Sequence, residues 1–227
     1  MIDFSIVSEN MDFLMKGLRV TLSLSVLSIV LSLILGTFLG VLRHSKFYPF
    51  NYIATAYIEI TRSIPLILYI IFIYFTASPF LSNNEVFSCI FGFSSLEFQT
   101  ACIALVLFEA AYVAEIVRGG LSSIEKELVD AAKSLGLNYF QRLRYIILPV
   151  VLKRMSPALV SQFVSLTKDT SLASAIGLIE LTRAGEIIYE RTQKELEVLI
   201  FISLIYFVIC FSISMVAKRL SERSFSY

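Results

Sequence analysis

The sequence contains three long stretches without a single charged side chain, and these limit what the chain can fold into. Each stretch is at least 20 residues long; they are 20–42, 63–84 and 198–217. A helix needs about 20 mostly apolar residues to cross the hydrocarbon core of a bilayer. Of the 227 residues, 57% are hydrophobic and 16% are charged, whereas soluble domains have about 45–50% and about 25%. The sequence therefore predicts a membrane protein.

Composition also argues against several other classes of protein. The formal net charge is +1, which leaves no basic field for a nucleic-acid backbone. Three cysteines cannot form a closed set of disulfides. The single histidine, His44, lies outside the apolar stretches, so a metal cluster or a membrane-embedded enzyme is not favoured.

Two further apolar segments, 98–117 and 155–179, are each interrupted by two charged residues. Counting them as spans predicts an all-α membrane protein with about five transmembrane helices in a single transmembrane domain, 1–227. The spans are approximately 18–42, 52–80, 97–117, 154–180 and 197–218.

The distribution of Lys and Arg predicts the orientation of these helices. Outside the spans, basic residues are concentrated after the first, third and fifth helices, and cytoplasmic loops collect such residues. We therefore expect the N-terminus outside and the C-terminus inside the cell. An odd number of spans places the two termini on opposite sides of the membrane, in agreement with this orientation.

The segment between the third and fourth spans is long and patterned, with a loop at about 120–149. Ser122 followed by Glu125 has the spacing of a capping box, and Gly136 is placed to close the helix in a left-handed conformation. A second helix is expected from about Asn138 to Leu148, where Pro149 ends it. This helical hairpin either inserts into a groove on another protein or lies on the bilayer surface.

The hairpin resembles the coupling loop, often called the EAA loop, of permease subunits in ATP-binding-cassette (ABC) importers. The matching residues are Asp130-Ala131-Ala132, Gly136 and Ile147-Leu148-Pro149, with Asp130 in place of the usual Glu. Within that family the chain is most similar to the polar amino-acid uptake group, which handles histidine, glutamine and arginine. Further matching segments are Lys16-Gly17, Pro65-Leu66, Ala111-Tyr112, Lys168-Asp169-Thr170-Ser171 and Glu180-Leu181-Thr182-Arg183. Tyr69 stands where the group commonly has Gln.

The resemblance implies a type I ABC importer permease in a bacterial cytoplasmic (inner) membrane, which transports a polar amino acid and has no catalytic activity of its own. It implies that a cytoplasmic ATPase dimer contacts Asp130, Ala131, Ala132, Gly136 and Pro149. The chain lacks the G-x-x-x-x-G-K-[ST] phosphate-binding motif, so ATP and Mg are expected on the partner and no cofactor on this chain. The other implied partners are a second permease copy or a paralogue and an extracytoplasmic substrate-binding protein.

Five ionisable residues inside the spans are candidates for the substrate path, because buried charge in a membrane is costly and usually functional. They are Lys168, Asp169, Glu59, Arg62 and Glu109. Glu59 and Arg62 are three residues apart, so they share a helical face and could form a structural ion pair with each other. No metal ligand set is expected.

Two alternatives to this function remain open from the sequence. One is an ABC permease for another small solute, such as methionine or an inorganic anion. The other is a carrier or channel that works without an ATPase. Neither the transported amino acid nor the choice between a homodimer and a heterodimer of permeases follows from the residues.

The predicted topology is testable by cysteine labelling. A cysteine introduced at Lys133 should react with a membrane-impermeant thiol reagent only from the cytoplasmic side, whereas Cys89 should react from outside. The measurement is the labelled fraction in intact cells and in inverted vesicles. Labelling of position 133 in intact cells would contradict the orientation.

Overall fold

The computed structural model describes residues 5–45, 48–81 and 95–224, and all regular structure in these ranges is helical. Cys89 lies outside them. The helices are α1 (Ser5–Glu9), α2 (Met11–His44), α3 (Tyr48–Ser63), α4 (Leu66–Leu81), α5 (Leu96–Ser122), α6 (Lys126–Ser134), α7 (Tyr139–Arg142), a π-helical turn (Leu143–Ile147), α8 (Leu148–Asp169), a 3₁₀ segment (Thr170–Ile176), α9 (Leu181–Thr192) and α10 (Glu195–Ser224).

Four helical segments of the described chain are long and apolar enough to cross a membrane. They are Met11–His44, Leu96–Ser122, Tyr139–Ile176 and Glu195–Arg219. The pair α3 and α4 makes a fifth if it is counted as one bent span. The predicted all-α membrane fold with about five spans is therefore confirmed. Its orientation in the bilayer stays a prediction.

The second predicted span, 52–80, is not one helix. It is divided into α3 and α4, which meet at an angle of 110°, with Ile64 and Pro65 between them. Proline cannot donate a backbone hydrogen bond, and it disfavours helical geometry at the residue before it. The chain turns at these two residues for that reason.

Small residues on one face of α2 allow it to lie directly against α5. Thr21, Ser25, Ser28, Ser32, Gly36 and Gly40 are all buried. A Cβ atom built on Gly36 would lie 2.6 Å from the Cβ of Val113, and one on Gly40 would lie 2.6 Å from the carbonyl oxygen of Ala114. The α2–α5 contact is the most extensive between helices of the described chain. The close approach expected of a small-residue face is therefore present.

Helix α5 is the centre of the described fold, and α8 and α10 lie at its periphery. Of the 18 residues in its apolar stretch, 67% are buried. In the apolar stretches of the segment containing α8 and of α10, the buried share is 11% each. Around α5 pack α2, α3, α4 and α8. The apolar side chains exposed on α10, such as Leu204 and Phe207, are available to lipid or to another chain.

Buried Glu180 joins three helices where the chain enters α9. Its carboxylate accepts hydrogen bonds from the backbone N–H groups of Thr182 and Arg183, at 2.9 and 2.8 Å, and from the Tyr206 hydroxyl at 3.0 Å. The Thr21 hydroxyl oxygen accepts from the backbone N–H of Leu181 at 3.0 Å. Helices α2, α9 and α10 are therefore connected by buried polar contacts.

Two glycines provide a matched test of the α2–α5 contact. Gly36→Ala should lower the thermal unfolding temperature, because the new methyl group forces neighbouring atoms apart and overpacking costs about 1–3 kcal/mol. Gly119→Ala, in α5, should leave it unchanged or raise it, since a Cβ there would meet no atom of the described residues within 4 Å and Ala is the better helix former. Both are measured on detergent-solubilised protein. Equal unfolding temperatures for the two variants would contradict the packing argument.

Candidate coupling hairpin and membrane path

Helix α6 ends in the left-handed turn that the sequence predicts at Gly136. Gly136 has φ +74°, its N–H donates to the carbonyl of Lys133 at 2.9 Å, and the Leu137 N–H donates to the carbonyl of Ala132 at 3.3 Å. This pair of bonds is a Schellman motif, which satisfies carbonyls at the end of a helix. The motif fixes the direction in which the chain leaves α6.

The predicted start of the hairpin at Ser122 is wrong. Ser122 is the last residue of α5, and α6 begins at Lys126, after an N-cap residue, Glu125, whose side chain makes no capping bond. The Ser123 hydroxyl donates to the carbonyl of Gly120 at 2.6 Å. This serine pair therefore ends the preceding helix instead of beginning the next one.

The second helix of the hairpin begins as predicted, at Asn138. Asn138 Oδ1 accepts from the Gln141 N–H, and Gln141 Oε1 accepts from the Asn138 N–H, each at 2.9 Å. Together they form a capping box.

Pro149 does not end this helix, contrary to the prediction, because a π-helical turn comes directly before it. In that turn the Leu148 N–H donates to the carbonyl of Leu143, five residues back. The wider turn changes the bonding pattern at the point where proline lacks a donor. The chain then continues as α8 to Asp169, so the second helix of the hairpin and the fourth span form one continuous helical segment.

The two alanines of the hairpin face opposite ways. Ala131 is exposed, but Ala132 is 3% exposed and packs inside the described chain, so the expectation that Ala132 offers a docking surface is corrected. Asp130 is exposed and pairs with Lys133 at 2.6 Å. The ammonium group of Lys133 holds the pKa of the Asp130 carboxyl below its usual range.

Large apolar side chains surround the turn on the outside of the hairpin. Leu135 and Phe140 are each 78% exposed, and Tyr139 is 63% exposed. Apolar and aromatic groups concentrated around one exposed turn are typical of an interaction surface.

Glu59 and Arg62 do not pair with each other, so the suggested ion pair is wrong. Glu59 instead pairs with Arg43 at 2.6 Å, and Arg43 also pairs with Glu115 at 2.8 Å. Arg62 lies over the ring of Tyr112, with its guanidinium carbon 5.1 Å from the ring centre. The planar guanidinium of an arginine has five N–H donors and can bind two carboxylates at once. Arg43 lies in the last turn of α2 and binds one carboxylate on α3 and one on α5.

Glu109 is buried between α5 and α8, with 1% of its surface exposed. The Gln162 amide donates to Oε2 of Glu109 at 2.7 Å. The other carboxylate oxygen, Oε1, has no hydrogen-bond partner in the part of the chain that the structure describes. The contact joins the central helix to the helix that bears Lys168 and Asp169.

The polar residues of α8 divide between two environments. Ser161 and Lys168 are exposed, whereas Gln162 contacts Glu109 and Asp169 is half-buried. Within the described chain no ion pair joins any two of the five candidate path residues. Arg43 is not among the predicted site residues, because it lies between the spans in sequence and its neighbours give no signal of its two distant partners.

Residues 19–226 match the family model described as "Binding-protein-dependent transport system inner membrane component". The chain belongs to this family. It is a multi-pass protein of the cytoplasmic membrane and a component of a transport system.

Curated relatives match over nearly the full length of both chains. The chain is 34% identical to the glutamate/aspartate import permease protein GltK of Escherichia coli O157:H7, covering 98% of each chain. It is 38% identical to the probable glutamine ABC transporter permease protein GlnP of Bacillus subtilis, covering 95% of each. The arginine transport system permease protein ArtQ of Bacillus subtilis is 34% identical, with 98% of this chain and 97% of that one covered.

Solved structures agree with this assignment. A crystal structure of an amino acid ABC transporter with histidines has a TM-score of 0.83 and 30% identity, covering 98% of this chain and 99% of that one. An inward-facing MetNI methionine ABC transporter has a TM-score of 0.76 and 22% identity, covering 95% and 98%. The second likeness shows the fold alone.

The positive φ of Gly136 makes the stability of the hairpin sensitive to the residue at this position. Gly136→Val should loosen the hairpin, because a β-branched residue is strained at positive φ, at a cost of about 1–3 kcal/mol. Gly136→Asn should be tolerated, since Asn adopts this conformation more easily. The measurement is the rate of proteolysis within 120–149 in membrane preparations. Equal protection of the two variants would contradict the prediction.

Proposed function

We propose that this chain is the membrane subunit through which a polar amino acid is imported, and that the import is driven by ATP hydrolysis on a partner ATPase subunit. The observation that carries the proposal is the full-length similarity to glutamate/aspartate, glutamine and arginine permeases. The capped hairpin, with its exposed apolar turn, supports it, because a subunit driven by a separate ATPase needs a surface to which that ATPase can bind.

The hairpin is the proposed binding site for the ATPase. Exposed Ala131 gives a small surface for close approach, and Leu135 and Phe140 supply apolar area beside it. Asp130, Ala132, Gly136 and Pro149 act within this proposal as the residues that shape the hairpin and join it to α8. ATP and Mg are bound by the partner ATPase dimer, so this chain needs no cofactor.

The continuity of α7, the π-turn and α8 suggests how ATPase movement reaches the membrane. A displacement of the hairpin is transmitted along one helical segment to Lys168 and Asp169, at the other end of α8. The π-turn before Pro149 is a point where that segment can bend, since π-bulges are a known cause of helix kinks and are frequently functional. The cytoplasmic position of the hairpin follows from the distribution of basic residues.

The proposed path for the amino acid runs along the exposed polar face of α8. Ser161 and Lys168 are exposed on a helix that is otherwise apolar enough to span the membrane. Polar groups in such a position face water or another chain in preference to lipid. A second permease copy or a paralogue would enclose this face, and a substrate-binding protein would deliver the amino acid from outside.

The five candidate residues have different parts in this proposal. Lys168 and Asp169 act on the path directly, and Arg62 lies near it at the break between α3 and α4. Glu109 acts through Gln162 on α8, and Glu59 holds Arg43. The methionine transporter likeness leaves a permease for another small solute as the second candidate, at the level of fold.

Reconstitution tests the function. The chain, purified with the ATPase and binding protein of its own transport system, should take up labelled glutamine, glutamate or arginine into proteoliposomes only when ATP is present. Uptake of methionine and of none of these three would favour the second candidate. ATP-independent uptake would contradict the ABC assignment.

A substitution at Ala131 tests the docking surface. Ala131→Arg should release the ATPase and stop uptake, because it places a long charged side chain on the contact surface. Ala131→Ser is the control, since it keeps the residue small and should retain both. ATPase co-purification with the permease is the measurement. Full co-purification with Ala131→Arg would move the docking site elsewhere and favour a hairpin lying on the bilayer.

A further inference from the structure

A cleft opens between the end of α8, the start of α9 and α10. Its volume is about 570 Å³, within the range of about 300–1,000 Å³ that is usual for small-molecule sites. The polar and thiol groups that line it are Lys168, Ser171, Thr182, Ser203, Tyr206 and Cys210. The remaining lining side chains are apolar and belong to α10. A mostly apolar cleft with a few converging polar groups is the usual form of a ligand site.

The side chains that line this cleft carry one charge, which is positive, while the Glu180 carboxylate lies behind the lining and is bonded to Tyr206. Lys168 is the only charged residue among the described residues that line it. Lys168 makes no ion pair within 4.0 Å with any carboxylate of the described chain. An ammonium group on a membrane-spanning segment is costly unless it has a partner or faces water, so the cleft favours an anionic occupant.

The hydroxyl groups of the cleft divide into two pairs. Tyr206 and Thr182 bond to each other at 3.2 Å, and Tyr206 also donates to buried Glu180 at 3.0 Å, so these two groups are already engaged. The Ser171 and Ser203 hydroxyls have no hydrogen-bond partner among the residues that the structure describes. They are available as donors to a ligand oxygen.

We propose that this cleft binds the α-carboxylate of the transported amino acid, with the Lys168 ammonium as its charge partner and the Ser171 and Ser203 hydroxyls as donors. The inference rests on the proposed function and deepens it, because it assigns the recognition of the backbone carboxylate to α8 and α10. Every α-amino acid has this group, so the cleft recognises the class and leaves side-chain selection to other residues. An amine without a carboxylate should not bind there.

Cys210 makes the proposal directly measurable, because it lines the same cleft and is partly exposed. In a Cys89→Ser, Cys102→Ser background it is the only cysteine of this chain. The complete transporter, with the partner subunits also free of reactive cysteine, is treated with N-ethylmaleimide. The labelling rate is measured with glutamine, glutamate or arginine present in turn, and with agmatine, which is arginine without its carboxylate.

The transported amino acid should slow the labelling of Cys210 in a saturable way, and agmatine should not. Lys168→Gln should raise the concentration needed for protection by about 10- to 150-fold, the usual effect of losing a charge-assisted hydrogen bond. Lys168→Arg should retain most of the protection, because it keeps the positive charge. Yield and size-exclusion profile show whether each variant is folded.

Three results would overturn the inference. They are a labelling rate that the transported amino acid leaves unchanged, protection that Lys168→Gln leaves unchanged, and a Cys210 that never reacts.

A lipid phosphate is the other source of an anion. Protection that depends on phosphatidylglycerol, and is absent in phosphatidylcholine with the amino acid present, would assign the cleft to lipid and overturn the proposal. If the wild type transports no amino acid at all, the proposed function fails instead, and uptake measured beforehand separates the two cases.

Discussion

The close contact between α2 and α5 is the constraint on which the arrangement of the other helices depends. Interior packing in a membrane gains little from expelling water, so helices associate through close van der Waals contact and buried hydrogen bonds. Gly36 and Gly40 allow that contact because a side chain at either position would overlap α5. With α5 held on one side by α2, its other faces receive α3, α4 and α8.

Arg43 extends this packing to the third helix. It stands at the end of α2 and binds Glu115 on α5 and Glu59 on α3, so one guanidinium spans three helices. Because Glu59 is engaged there, Arg62 is left over the ring of Tyr112 at the break between α3 and α4. A guanidinium that lies over an aromatic ring can still donate hydrogen bonds from its N–H groups to other partners. The ion pairs of Arg43 therefore occupy Glu59 and leave Arg62 without a carboxylate partner in the described chain, near the proposed path.

Features with a local cause were predictable from the sequence, and features that depend on distant partners were not. The uncharged stretches predicted helices, Gly136 its left-handed turn and Asn138 its cap, since each follows from its immediate neighbours. The 110° bend had a local signal in Pro65 that the length of the apolar stretch concealed. The partners of Arg43 and the contact of Glu109 with Gln162 required the fold itself, as did the inward direction of Ala132.

The helical continuity from the hairpin to Lys168 connects the two halves of the proposed mechanism. If Pro149 ended a separate helix, movement of the hairpin could be absorbed in a loop. Because the chain passes from α7 through the π-turn into α8 without leaving helical geometry, movement of α7 must shift α8, bend it at the π-turn or break its contacts. One such contact is the bond between Gln162 and Glu109, and another is the packing of Met155 and Val151 near Gly120. Both lie between the hairpin and the cleft, so one helix connects the proposed ATPase-binding site with the proposed amino-acid site at Lys168.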